Sequence, residues 1–318
     1  MWAYRLEAPM RFTRHDVEVP AGESLSVGDV LLRFLAGGVC GSDVPRCRDG
    51  AMLDGPEPFG WSLHEIVGEV VASNADLAPG ERVVGWVADS CGLREYLATP
   101  ASQLLTVNEG LDHVRAVLLQ PLACVLQALS RLPDITGARV AVIGLGPIGL
   151  LFAHALKDRG AASVVGVDVV DRSDVAPAFG VDEAVQRTSG TWARTLGAPG
   201  SFDLVVEAVG HQVGTLEDAI TVAAPGGTVL YFGNPDDTYY PIRFGTMMDK
   251  NLTLRAGRTA REDRRPALRL AEAYIARHPG LPRACVTHVL PVTETQTAFE
   301  MASRPAPGQL KIVLDASA

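Results

Sequence analysis

Little in this sequence is charged, basic or disulfide-forming, and each shortage excludes something. Charged residues make up 20% of the 318 positions, the net charge is −9, and there is no basic run. A nucleic-acid surface needs clustered Lys and Arg to neutralise phosphates, so no nucleic-acid partner is expected. Five cysteines, Cys40, Cys47, Cys91, Cys124 and Cys285, are an odd number in a long chain. They read as reduced thiols in a cytoplasmic protein, not as a disulfide framework. No uncharged run is longer than Val140 to Leu156, which is shorter than a bilayer span and is broken by Gly144, Gly146, Pro147 and Gly149, so no membrane segment is expected. The opening stretch MWAYRLEAPMRFTRHDVEVP carries charges throughout and lacks an apolar core, so no signal peptide is expected either.

What is present is enough chain for two domains with real cores. The N-terminal third is rich in Gly and Pro. Its short β-type runs are VGDVLLRFLAGGVCG, HEIVGEVVAS, GERVVGWV and REYLATP. From about residue 122 the texture changes. RVAVIG, SVVGVDV, FDLVVEAVG and GTVLYFGN read as strands, and PIGLLFAHALKDRG and LEDAITVAA as helices. Such alternation builds right-handed βαβ units on a doubly wound parallel sheet, an α/β fold. NLTLRAG reads as a last short strand. RRPALRLAEAYIARHPG is an amphipathic helix with Leu268, Ala271 and Ile275 at helical spacing, and the tail to GQLKIVLD returns to mixed α and β.

Gly144-Leu145-Gly146-Pro147-Ile148-Gly149 follows a strand and opens a helix. Gly144 permits the tight turn, Gly146 lets the backbone approach a pyrophosphate, and Gly149 lets the helix pack closely on the strand. The helix N-terminus then offers its free N–H groups to the phosphates. Asp168 ends the next strand, where a carboxylate accepts hydrogen bonds from ribose hydroxyls and repels a 2′-phosphate. The pattern therefore points to a Rossmann domain holding NAD, while the nearby Arg172 is a group that could accommodate NADP. The alternative at this point is a doubly wound domain without a cofactor.

Upstream, GVCGSD carries Cys40, and WSLHEIVGEV carries His64 and Glu65. Thiolate, imidazole and carboxylate are donors that zinc accepts. The spacing alone leaves open a buried thiol and an ordinary core histidine.

Taken together, GVCGSD, HEIVGEV, QPLACVLQAL, GLGPIG and a strand-terminal acid resemble the zinc-dependent alcohol dehydrogenases of the medium-chain dehydrogenase/reductase superfamily. The flavour is that of the polyol, threonine and aminocyclitol dehydrogenases, and the resemblance runs from GESLSVGDVLLRF to GQLKIVLD. It implies a GroES-like β-rich catalytic domain over residues 1–121, a Rossmann domain over 122–258, and a return to the catalytic domain over 259–318. It also implies a homodimer or homotetramer, with NLTLRAG pairing across a two-fold axis.

Carried over by position, the resemblance makes Cys40 and His64 zinc ligands and Glu65 a switchable ligand or an acid behind the metal. The position of a third protein ligand falls on Gln120, a weak neutral donor. The expected set is Cys40, His64, Glu65 and water, with Gln120 nearby and Cys124 turned towards the nicotinamide. Ser42 would accept the substrate proton, and Asp43 would orient His64. Pro45 stands where relatives carry a proton-relaying histidine, and Leu63 stands where they carry glycine. The lobe that holds a second, structural zinc in relatives is missing, so one zinc is expected. Arg46, Trp61 and Trp86 belong either to the substrate pocket or to packing.

The implied activity is NAD-dependent oxidation of a secondary alcohol on a small polyol, sugar or cyclitol-like substrate. Two alternatives remain at this stage. One is a metal-free quinone or enoyl reductase on the same fold, and the other is an inactive dinucleotide-binding protein.

Overall fold

The computed structural model describes residues 1–20, 25–49, 57–196 and 200–318. Gly22 to Ser24 of the GESLSVGDVLLRF stretch therefore lie outside the described residues. The chain divides into two compact units. The first comprises residues 1–124, 259–305 and 309–318, and the second comprises 125–258 and 306–308.

The first unit opens with a hairpin, β1 (Trp2–Ala8) and β2 (Arg11–Asp16). Then come β3 (Asp29–Val39), α1 (Asp43–Asp49), β4 (Glu65–Ser73), β5 (Arg82–Trp86), β6 (Tyr96–Pro100), β7 (Leu104–Thr106), α2 (His113–Ala116) and α3 (Leu119–Leu129). The second unit is built from β8 (Arg139–Ile143), α4 (Pro147–Asp158), β9 (Ser163–Asp168), β10 (Glu183–Gln186), α5 (Ser189–Thr195), β11 (Phe202–Glu207), α6 (Gly214–Val222), β12 (Ala223–Tyr231), α7 (Phe244–Asp249) and β13 (Thr253–Ala256). The chain then returns to the first unit with α8 (Arg264–Arg277), α9 (Leu281–Cys285), β14 (Val286–Pro291), α10 (Thr295–Ser303) and β15 (Lys311–Asp315).

In the first unit the strand order is β14-β15-β3-β4-β5-β7, with β6 also pairing β3. β3 is the hub: β4, β6 and β15 all run antiparallel to it. Its apolar residues Val30, Leu32 and Phe34 are buried in a core with Leu63, Ile66, Leu97, Leu104, Phe299 and Leu314. β15, from the last residues of the chain, completes the sheet beside the strand that leads to Cys40.

The second unit is a six-stranded sheet in the order β10-β9-β8-β11-β12-β13, and every pairing is parallel. Its central strands are apolar on both faces, as a sheet covered by helices requires: Val140 to Ile143 of β8 are all buried. The edge strand β10 and the helix α5 after it are not among the elements expected from sequence. β10 is short and only half-buried, so it carries no apolar run to announce it. Ala223 and Ala224 belong to β12, not to the helix expected over LEDAITVAA. Among the described residues no helix is long and apolar enough to cross a membrane.

Candidate metal centre and dinucleotide loop

Strand register builds the metal centre. β3 and β4 are antiparallel with Gly38 opposite Glu65. Cys40, just past the end of β3, and His64, just before β4, therefore emerge at the same end of the sheet. Gly38 is needed there because a Cβ on it would run into the Glu65 carboxylate and Val117. The ligand atoms of Cys40, His64 and Glu65 all lie within 4.8 Å of one another.

Asp43, at the start of α1, ties the two loops together and is 1% exposed. Its Oδ2 accepts the Cys40 backbone N–H at 3.1 Å, and its Oδ1 accepts the Ser62 hydroxyl at 2.8 Å. The same Oδ1 is 3.1 Å from His64 Nδ1. With the ring proton on Nδ1, Nε2 is left as the donor for a metal. Burial works against an imidazolium here, but the Asp43 carboxylate outweighs it, helped by Cys40, and holds the His64 pKa well above its ordinary value. Metal binding must displace that proton, so affinity falls as pH drops. Ser42 donates to Cys40 Sγ at 3.2 Å, which puts its hydroxyl beside the cluster.

Leu63 is fully buried. Its side chain packs over Gly37, where a Cβ would strike it. That absent Cβ makes room for leucine beside the His-Glu pair. Gln120 is 2% exposed and its Nε2 donates to Cys124 Sγ at 3.6 Å, one helical turn along α3. Burial pushes the Cys124 thiol up to about 11.

Sequence reasoning missed Lys311. It lies on β15, where Ile312 faces Val39 in register. Its Nζ is 2.9 Å from both Glu65 oxygens and donates to the Val39 carbonyl at 3.2 Å. Burial alone would strip the Lys311 proton; Glu65 above all, with Cys40 and Cys285, holds its pKa above the ordinary lysine value. Glu65 thus reaches the ligand cluster with both oxygens engaged by an ammonium. The available signal was a lone lysine heading the apolar strand KIVLD.

Thiolate, imidazole and a nearby carboxylate at this mutual distance fit a zinc ion. Trp61 and Trp86 are both buried.

In the second unit, Gly144 takes φ 91° and turns the chain out of β8. Gly146 caps α4, with Pro147 at its first position. A Cβ on Gly149 would collide with the Gly144 carbonyl, so that position requires glycine. A Cβ on Gly146 would meet nothing within 4 Å, so the loop faces open space where a pyrophosphate fits. Asp168 accepts the Leu145 N–H at 2.7 Å and the Val170 N–H at 2.8 Å. The acid is therefore locked to the glycine loop. Arg172, the group that could accommodate a 2′-phosphate, is 4% exposed and donates to the Ala306 carbonyl at 2.9 Å.

The family model described as Zinc-binding dehydrogenase matches residues 147–273, and that described as Alcohol dehydrogenase GroES-like domain matches residues 26–109. D-altritol 5-dehydrogenase of Agrobacterium fabrum is 32% identical over 254 residues, covering 68% of this chain and 72% of its own. L-threonine 3-dehydrogenase of Legionella pneumophila is 27% identical over 337 residues, covering 94% and 95%. The solved alcohol dehydrogenase TADH from Thermus sp. ATN1 superposes with a TM-score of 0.84 at 25% identity, covering 99% of this chain and all of its own. The fold and site define a zinc-dependent dehydrogenase: a GroES-like unit carrying the metal donors and a parallel-sheet unit carrying the dinucleotide loop. The chain belongs to the medium-chain dehydrogenase/reductase family, in its polyol and threonine dehydrogenase branch. It is an alcohol/polyol dehydrogenase.

Proposed function

We propose that this enzyme oxidises a secondary alcohol on a polyol, sugar or cyclitol-like substrate, using one zinc at Cys40 and His64 and NAD as hydride acceptor. The observation that carries the reading is the convergence of Cys40, His64 and Glu65, the first two held by Asp43. Zinc supplies a Lewis acid that polarises the substrate hydroxyl and eases loss of its proton. NAD held at the glycine loop would supply the hydride acceptor, so that the secondary alcohol would give a ketone, NADH and one proton.

The chain's own groups do the rest. Asp43 fixes the His64 ring and the Cys40 backbone, so the donors are set before any ligand arrives. The Ser42 hydroxyl, beside Cys40 Sγ, takes up the substrate proton and passes it on. Pro45 cannot relay it, which leaves Ser42 or Glu65 as the side chain that would hand the proton on. Lys311 neutralises Glu65, which leaves the Cys40 thiolate as the main negative charge at the metal and keeps the metal electrophilic.

Asp168 favours NAD because a 2′-phosphate placed against a carboxylate is repelled. The exposed edge strand β13, Thr253–Ala256, supports pairing with a second copy of the chain.

Cys40→Ser is the test. It should remove both zinc and turnover while leaving NAD binding intact. Turnover that persists without metal would instead favour a metal-free reductase. Activity with NADP and none with NAD would overturn the cofactor assignment, and a monomer by light scattering would overturn the pairing.

A further inference from the structure

Trp86 ends β5 directly opposite Glu65. Directly opposed residues share a sheet face, so the indole stands beside the metal donors. Over its ring, 5.1 Å from the centroid, lies the guanidinium of Arg264, the opening residue of α8. One Arg264 nitrogen donates to the Gln103 side-chain oxygen, while Nε is buried without a hydrogen-bond partner. Among the described residues no carboxylate pairs with Arg264. Arg261 repels it, and the nearby Cys124 thiol, pushed up to about 11 by burial, supplies no countercharge. A half-buried cation with an unmade N–H and no countercharge thus stacks on the residue directly opposite Glu65.

Leaving a buried N–H unmade is costly, and a neutral hydroxyl cannot balance a guanidinium. The group that answers both deficits is an anion with two oxygens, which matches the planar fork of arginine. Stacking on Trp86 holds that fork in place before the ligand arrives. We infer that the substrate oxidised at the Cys40–His64 centre carries an anionic oxygen group, a carboxylate or a phosphate, received by Arg264. The inference rests on the dehydrogenase reading above and narrows its substrate class. Arg264 acts here as a specificity-determining residue, away from the transferred hydride.

The experiment uses the zinc-loaded enzyme with NAD and three substrate series: neutral polyols, aldonates and polyol phosphates. At least one anionic series should exceed the neutral polyols in kcat/KM. Arg264→Gln should cut that advantage on the order of 10- to 100-fold, the worth of one charge-assisted hydrogen bond, mainly through KM. The loss should be larger for the anionic series than for neutral polyols, so that their kcat/KM ratio falls, and Arg264→Lys should restore part of that ratio. Whether aldonates or phosphates respond decides between carboxylate and phosphate. Equal turnover of neutral and anionic substrates, unchanged in Arg264→Gln, overturns the inference and leaves the dehydrogenase reading standing. If no series reduces NAD, the dehydrogenase reading falls. Calorimetric titration with gluconate and with inorganic phosphate then decides the anion site alone: binding lost in Arg264→Gln upholds it, and binding absent or unchanged overturns it.

Discussion

Replacing Lys311 with Met should cost this protein a large share of its stability. The Lys311 and Glu65 side chains are 2% and 1% exposed, and both carboxylate oxygens lie 2.9 Å from the ammonium. Removing one partner of such a pair strands a buried charge, which costs about 3–5 kcal/mol. Against the roughly 5–15 kcal/mol that holds a typical domain folded, the loss is plain to see. The lysine pKa is raised in the fold, so the pair's contribution is complete below the ordinary lysine range. It is lost only as pH climbs through the folded value, and a measurement at neutral pH therefore captures all of it. The assay is urea denaturation of zinc-stripped protein followed by tryptophan fluorescence, where the midpoint should fall by about 1 M or more. The double variant Lys311→Met/Glu65→Met should recover most of the loss, because neither charge is then left unpaired. A single variant that costs under about 1 kcal/mol would refute the reasoning, as would a double variant at or beyond the sum of the singles.

Asp43→Asn should lower zinc affinity about 10- to 100-fold, read by competition with a chromophoric chelator, because the His64 ring loses its carboxylate partner. Gly149→Ala should cost about 1–3 kcal/mol in thermal unfolding and weaken NAD binding, because its methyl would meet the Gly144 carbonyl. Burial raises the Glu207 pKa despite the hydrogen bonds it accepts from the Gly210 and Val209 backbone N–H groups. A carboxylate raised in the fold destabilises it as pH climbs from the ordinary glutamate range through the folded value. The melting temperature of the wild type should therefore fall more than that of Glu207→Gln between about pH 5 and pH 8.

The parallel sheet was legible because β8, β9, β11 and β12 are apolar runs punctuated by glycine. β10 and α5 were not, since a half-exposed edge strand carries no such signature. At the metal centre, Cys40, Ser42, Asp43 and His64 sit in two short motifs whose residue types zinc accepts, but spacing alone left the site open, and the family resemblance supplied the zinc reading. Lys311 stands 246 positions from Glu65, and only the register of β15 against β3 brings them together. The Arg172 side chain was equally illegible. It lies close in sequence to Asp168, yet the fold turns it inward to Ala306. Leu63 became intelligible only when Gly37 was found beneath it.

X-ray absorption at the zinc edge of the purified enzyme is the measurement that bears most directly on the metal. One zinc per chain, with a single sulfur neighbour at about 2.3 Å and at least one imidazole nitrogen, is the predicted spectrum, the sulfur vanishing in Cys40→Ser. Stoichiometric protein without zinc, or zinc bound with no sulfur neighbour, would contradict the assignment of Cys40 and His64.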